Sequence, residues 1–282
     1  MEKKLEQVEE FWDNNLCGSH FIEEKYLSKE FFDKYREFRY KKEHHILRIV
    51  DFKSAVGKDV LEIGLGVGAD STNWAKYAKS HTGVDLTNEA VKATRMHFEH
   101  LNLKGNIIQG NAEALELPDN SFDIVYSHGV LHHSEDIMKT FAEVHRVLRP
   151  NGEFIVMLYS KASFNYWIRI QVLHRTRIIF ERLKNMFGLK SKGRWAEHVD
   201  NFKKYGWKYL SWSELPHHCT DGPGCNIANT YYTGEAIEML KKAGFKTYKT
   251  VKTHLPLGGR VALEKFLASK MGFFQFYWSK KI

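Results

Sequence analysis

Gly64, Gly66 and Gly68 alternate through "DVLEIGLGVGAD", residues 59–70, directly behind an apolar run. On a turn from strand to helix, such glycines bring backbone amides and a helix N-terminus to the carboxyl edge of a sheet. Groups such as phosphate, carboxylate or sugar bind at that edge. The string from Gly64 to Ala69 also satisfies the nicotinamide pattern G-x-G-x-x-[GA], so the glycines alone leave the ligand open. Glu62 puts a carboxylate two residues before the turn. It suits a ligand carrying an ammonium group better than a pyrophosphate, because like charges repel. Asp85 ends a second strand, seventeen residues beyond Gly68, and its two oxygens can accept from both hydroxyls of a ribose. Asn111 and Ala112 open "GNAEALELPDNSFDIVYSHGVLHH", where a side-chain amide and a backbone amide can read an adenine edge.

Histidines supply the remaining chemistry. His128, His132 and His133 cluster after the fourth strand, where one can act as a base or orient an acceptor. The plainer alternative has His132 and His133 capping or packing the next helix. His20 stands in "CGSH", where it either closes the site or belongs to an ordinary loop. Tyr26 and Tyr40 are weaker candidates, since aromatics at helical spacing are more often core. Asp70 and Ser71 read as first-turn helix residues. "PHHCTDGPGCN", residues 216–226, brings zinc to mind, but its Cys-x₅-Cys gap fits no usual ligand pair, so no metal is expected. Its Gly-Pro-Gly turn reads as a substrate-facing loop.

These groups need a frame. Strands are expected at 59–63, 81–85, 106–109, 122–127, 153–159, 245–253 and 273–280. Helices are expected at 70–79, 87–101, 136–148 and 233–243, with Pro150-Asn151-Gly152 ending the third. Strands alternating with helices argue for an α/β fold: a Rossmann-like, mostly parallel sheet with helices on both faces. The expected divisions are an N-terminal helical lid (1–57), a cofactor-binding core (58–160), a basic aromatic cap insertion (161–232) and a C-terminal helix and strands that complete the sheet (233–282).

The chain has 282 residues, 43% of them apolar, and a formal charge of +8. Residues 161–211 hold twelve Lys and Arg against three acidic residues, a net +9 that accounts for the whole excess. They read first as a cap with its charges in solvent; peripheral contact with a membrane surface stays open. Three cysteines give no disulfide framework, and the N-terminus lacks a signal-peptide pattern. The longest purely apolar run, Phe154 to Tyr159, is far short of a membrane span. A cytoplasmic protein is the expectation; oligomeric state is not read.

"VLEIGLGVGAD", "GVDLT", "GNAEALELPDNSFDIVYSHGVLHH" and "EVHRVLRPNGEFIV" together resemble the class I S-adenosylmethionine-dependent methyltransferases of the UbiE-like type (methyltransferase type 11), over about residues 59–159. "FWDNNLCGSHF" and "DGPGCN" with a later "YT" resemble a bacterial subgroup of these enzymes. The resemblance implies a seven-stranded sheet with a last antiparallel strand, and S-adenosylmethionine as cofactor. It implies Gly64, Gly66 and Gly68 under the methionine part, Asp85 on the ribose and Leu86 beside the adenine. Asn111 and Ala112 would meet the adenine edge; Ser127 and His128 would border the methyl end. Asn111 stands where the family frequently has Asp; Asn keeps an acceptor and adds donors.

Methyl transfer from a sulfonium is an in-line displacement that needs alignment and exclusion of water. A hydroxyl acceptor gains from a base, typically by ~10²–10⁴ in rate, whereas nitrogen needs less. The expected activity is methylation of a small molecule, at oxygen first and nitrogen next, with His128, His132, His133 and His20 as catalytic candidates. Three alternatives stand beside it. The same cofactor can donate or cyclise its aminocarboxypropyl chain, which would leave methylthioadenosine rather than S-adenosylhomocysteine. A nucleic-acid methyltransferase is encouraged by the basic segment, but "YSHGVL" lacks the N-P-P-[YF] tetrad of base-amine enzymes, and no nucleic-acid partner is expected. A nicotinamide oxidoreductase would bind NAD(P)H instead.

Overall fold

In the computed structural model, residues 2–255 and 261–282 are described. They divide into two compact units. The first comprises the described residues of 1–158, 234–251 and 276–282; the second comprises those of 159–233 and 252–275.

The first unit opens with helices α1 (Glu2–Asn14), α2 (Lys29–Lys42) and α3 (Ile46–Ile49). Ser28 caps α2 by accepting from the Phe31 amide. Strand and helix then alternate: β1 (Asp59–Ile63), α4 (Ala69–Tyr77), β2 (Ser80–Asp85), α5 (Asn88–His100), β3 (Asn106–Gln109), β4 (Phe122–His128), α6 (Ile137–Val147) and β5 (Leu148–Ser160). Thr87 and Asp136 accept from first-turn amides and start α5 and α6. Later come α10 (Thr233–Lys242), β7 (Phe245–Thr253) and β8 (Phe274–Lys281). The sheet runs in the order β3-β2-β1-β4-β5-β8-β7, and β3 through β5 pair in parallel. The order reverses beside β1, which opens a crevice at the carboxyl ends of β1 and β4.

Every residue of β1 is buried, as expected for a central parallel strand covered on both faces. On α2, Phe31, Phe32 and Tyr35 pack with Val67 and Ala69 of the glycine turn and with Ala90 and Ala93 of α5. That apolar face seats α2 beside the turn.

Two departures from expectation change the sheet. Helix α6 ends at Val147, and β5 begins at once, running through Pro150-Asn151-Gly152. Pairing with β4 jumps from Phe122↔Leu148 to Ile124↔Glu153, a bulge that Asn151 accommodates at φ +61°. The turn-forming triplet re-registers the strand instead of preceding it. The sheet also carries an eighth strand, β6 (Thr230–Tyr231), which pairs with the end of β5 through Tyr159↔Thr230 and Ser160↔Tyr231. Two residues are too short for periodicity to register.

The second unit contains a π-helix (Asn165–His174) continuing into α7 (Arg175–Met186), then α8 (Arg194–Tyr205), α9 (Leu215–Thr220) and α11 (Val261–Met271). Its core gathers Ile170, Ile178, Tyr209, Leu210 and Leu215. No described helix is long and apolar enough to cross a membrane.

Candidate functional site

The turn between β1 and α4 sorts its three glycines by what surrounds them. All three have positive φ. A Cβ at Gly64 would collide with Val130, whose own Cβ lies 2.7 Å away. At Gly68 it would press on Thr94, with three atoms at 3.0–3.2 Å. At Gly66 it would meet nothing within 4 Å. Gly64 and Gly68 are therefore small because protein packs on them. Gly66, at φ +53°, leaves open space over the turn.

Asp85 ties this turn down. Its Oδ2 accepts from the Leu65 amide at 2.6 Å, and its Oδ1 accepts from the Thr87 amide and hydroxyl at 2.9 and 2.8 Å. Burial pushes its carboxyl upward, opposed by these hydrogen bonds. The two oxygens expected for a ribose already hold the loop, so any sugar hydroxyl must share them. Asn111 Oδ1 is likewise engaged locally, accepting from the Glu113 amide at 2.9 Å. Leu86 and Ala112 are half-buried near the ends of β2 and β3.

Glu62 is engaged inside the protein. It is 2% exposed, and its Oε2 lies 3.2 Å from His81 Nε2. Burial, reinforced by the Asp70 charge, holds its carboxyl well above the ordinary range. Burial disfavours the charged form of this carboxyl, the form an ammonium group would meet. Ser127 is also buried, with its hydroxyl donating to Ile63 O at 2.9 Å, which staples β4 to β1. His20 is exposed and lies against Phe21, ring centroids 4.0 Å apart, and no described contact joins it to His128.

The chemistry gathers instead on Asp70 and His128. Asp70, 3% exposed, accepts from Arg39 Nη2 at 2.8 Å, Tyr40 OH at 2.8 Å and Tyr126 OH at 3.0 Å. Burial alone would raise its carboxyl; the Arg39 charge, His128 and these bonds outweigh it and hold Asp70 below its usual range. Arg39 also approaches His128 Nδ1 at 3.3 Å and Glu43 at 3.5 Å. A guanidinium only donates, so Nδ1 accepts and the imidazole proton sits on Nε2, 3.9 Å from Glu43. Burial lowers the His128 pKa, with Glu43 pulling it up and Arg39 pushing it down. With Nδ1 engaged by Arg39, His128 positions the guanidinium and is poorly placed to take a proton.

His132 is fully buried and held well below its ordinary pKa by burial and by His133 and His128. That makes it a feeble base. His133 is 6% exposed, its ring 4.3 Å from His132 and 5.0 Å from Trp12. Glu43, His45 and His128 offer one ligand-type atom each within 4.8 Å of one another. Arg39 lies on two of the three, and its charge opposes a cation there.

Arg39, Glu43 and the hub role of Asp70 were missed by sequence reasoning. A signal existed: Arg39 falls four residues after Tyr35 and seven after Phe32, on the buried face of α2. An arginine there needs an acid, but nothing local says that the acid is Asp70.

Residues 61–156 match the model of a methyltransferase domain family. An uncharacterized methyltransferase, YcgJ, of Bacillus subtilis is 35% identical over 99 residues, covering 35% of this chain and 39% of the relative. A fatty-acid O-methyltransferase of Mycolicibacterium smegmatis is 32% identical over 184 residues, covering 58% of this chain and 65% of the relative. The chain thus spans less than two thirds of either relative. A solved S-adenosylmethionine-dependent methyltransferase from Methanosarcina mazei shares the fold, with a TM-score of 0.54 and 17% identity over 84% of this chain and 97% of that one. With the open glycine turn and its aspartate clamp, these likenesses make residues 61–156 a class I, S-adenosylmethionine-dependent methyltransferase domain.

Proposed function

We propose that the chain methylates a small-molecule acceptor, at oxygen before nitrogen. The observation that carries this reading is the open space over Gly66 between two packed glycines, at the sheet edge where Asp85 holds the loop amides. A flat or bent ligand can lie against that backbone, and a sulfonium cofactor held there supplies an activated methyl group. Gly64, Gly66 and Gly68 would shape the methionine side, Asp85 would share its oxygens with the ribose, and Leu86, Asn111 and Ala112 would line the adenine. Ser127 and His128 would border the methyl end, Ser127 through its backbone. Arg39 and Tyr40 gather on Asp70, two residues beyond Gly68, and Arg39 would be a donor to a carboxylate acceptor. Residues 1–57 would close over the cofactor.

Oxygen is favoured by the likeness to a fatty-acid O-methyltransferase, which extends over more of the chain than the domain match. An acceptor oxygen that is already anionic needs no base, which suits an engaged His128. For a hydroxyl acceptor, His133 is the remaining histidine to test.

The experiment is incubation of the full chain with S-adenosylmethionine and a panel of carboxylate, hydroxyl and amine acceptors. S-adenosylhomocysteine and a methylated oxygen are expected; methylthioadenosine as product would overturn methyl transfer. Calorimetry on Asp85→Ala should show cofactor affinity weakened by about 1.5–3 kcal/mol, the scale of hydrogen bonds to a charged group. Unchanged affinity would remove Asp85 from the cofactor site.

A further inference from the structure

The second unit carries an apolar face that its own core does not use. From Asn165 to Met186 the π-helix and α7 turn Ile170 and Ile178 inward, both fully buried against Tyr209, Leu210 and Leu215. Ile168, Val172, Phe180, Leu183, Met186 and Phe187 lie on the other side and are all exposed, Phe180 by 58%, Met186 by 66% and Phe187 by 83%. Their steps of mostly three, four or eight residues form one helical stripe.

Charge borders that stripe on one sign only. Residues 165–192 contain seven Arg and Lys and a single acid, Glu181. Glu181 is buried and already bound by Arg177, Lys184 and Ser191, so it adds no outward negative charge. By helical spacing Arg175, stacked on Trp212, and Arg182 follow one edge of the stripe; Arg177 and Lys184, which hold Glu181, follow the other. Lys190 and Lys192 extend the basic character just beyond the helix, next to exposed Leu189.

We propose that residues 165–192 form a docking surface for an anionic lipid bilayer. An exposed helical stripe of bulky apolar side chains, rimmed by cations and lying on the protein rather than crossing the membrane, is the pattern of an interfacial helix. The cations meet lipid phosphates while Phe180, Met186 and Phe187 enter the acyl boundary. A second copy of this chain would set like charge against like on this face. A nucleic acid would satisfy the cations and leave the stripe in water.

The test is co-sedimentation of the full chain with vesicles of phosphatidylcholine containing about a quarter phosphatidylglycerol, and with phosphatidylcholine alone. Binding to the anionic vesicles is expected, at least about tenfold weaker without the anionic lipid. Phe180→Asn with Phe187→Asn should reduce it at least about tenfold, both sites being exposed, with S-adenosylmethionine binding and thermal unfolding unchanged. Neutralising Lys190 and Lys192 to Gln should weaken it about fivefold for each charge. Four results would overturn the proposal: no vesicle binding by the parent chain, binding untouched by the Phe pair, concentration-dependent self-association that the Phe pair abolishes, or salt-sensitive RNA binding with none to vesicles. None of these readouts depends on the acceptor or on methyl transfer, so the proposal stands or falls apart from that reading.

Discussion

The three glycines of the turn should respond differently to the same added methyl group. At Gly66 an alanine side chain meets no atom within 4 Å, so its cost to folding is the left-handed backbone alone, about 1–2 kcal/mol. At Gly64 the same strain applies at φ +85°, and the methyl also overlaps Val130. Overpacking of that kind adds about 1–3 kcal/mol, for a total of about 2–5 kcal/mol. Gly68→Ala belongs between them, because its nearest contacts, on Thr94, lie at 3.0–3.2 Å against 2.0–2.8 Å for Gly64 on Val130. Binding should rank the other way. The Gly66 methyl would stand in the space assigned to the cofactor and weaken S-adenosylmethionine at least about tenfold, or ~1.4 kcal/mol. A Gly64→Ala protein that still folds, helped by Val130→Ala, should bind more nearly like the parent. Urea unfolding gives the first ranking and titration calorimetry the second. A Gly66→Ala variant that binds the cofactor with parental affinity would refute the reasoning, as would one destabilised as much as Gly64→Ala.

Arg39→Met removes the cation from a carboxylate that is 3% exposed. Tyr40 and Tyr126 still donate to Asp70, yet an uncompensated buried charge should cost about 3–5 kcal/mol in denaturant unfolding; a loss under 1 kcal/mol would mean the pair is solvated. Acid should destabilise the fold through His97, whose pKa burial lowers to about 4 while its Nδ1 lies 2.9 Å from Val67 O. The folded pKa is below the unfolded ~6.5, so the unfolded chain binds the extra proton, and stability present above 6.5 is lost as pH falls toward 4. At pH 5 the loss is about 2 kcal/mol, from ~1.4 kcal/mol per unit over about one and a half units. His97→Gln, which can still donate to Val67 O, should flatten the fall between pH 7 and 5 by that amount; an unchanged pH dependence would exclude His97 as its source.

Much of the frame was legible because local rules and the final fold agree. The alternation of strand-like and helix-like segments marked β1, β3 and β7 at their observed bounds, and Thr87 announced α5 through its cap. Where a local signal had two solutions, packing chose between them. Pro150-Asn151-Gly152 can end a helix or bulge a strand, and pairing with β4 selected the bulge.

By itself the sequence determined the order of strands and helices, the glycine turn with an acid at the end of the next strand, and the excess of positive charge in 161–211. These follow from neighbours along the chain and from side-chain type. The tertiary structure alone decided which glycine faces open space, that Glu62 is buried beside His81, that Asp85 is already clamped to the turn, and that Arg39 reaches across thirty-one residues to Asp70. It also decided which apolar residues of 165–187 are left outside a core. Burial and partner choice are set by what the folded chain brings within a few ångströms, and a charge or an aromatic reads the same in sequence on either side of that boundary.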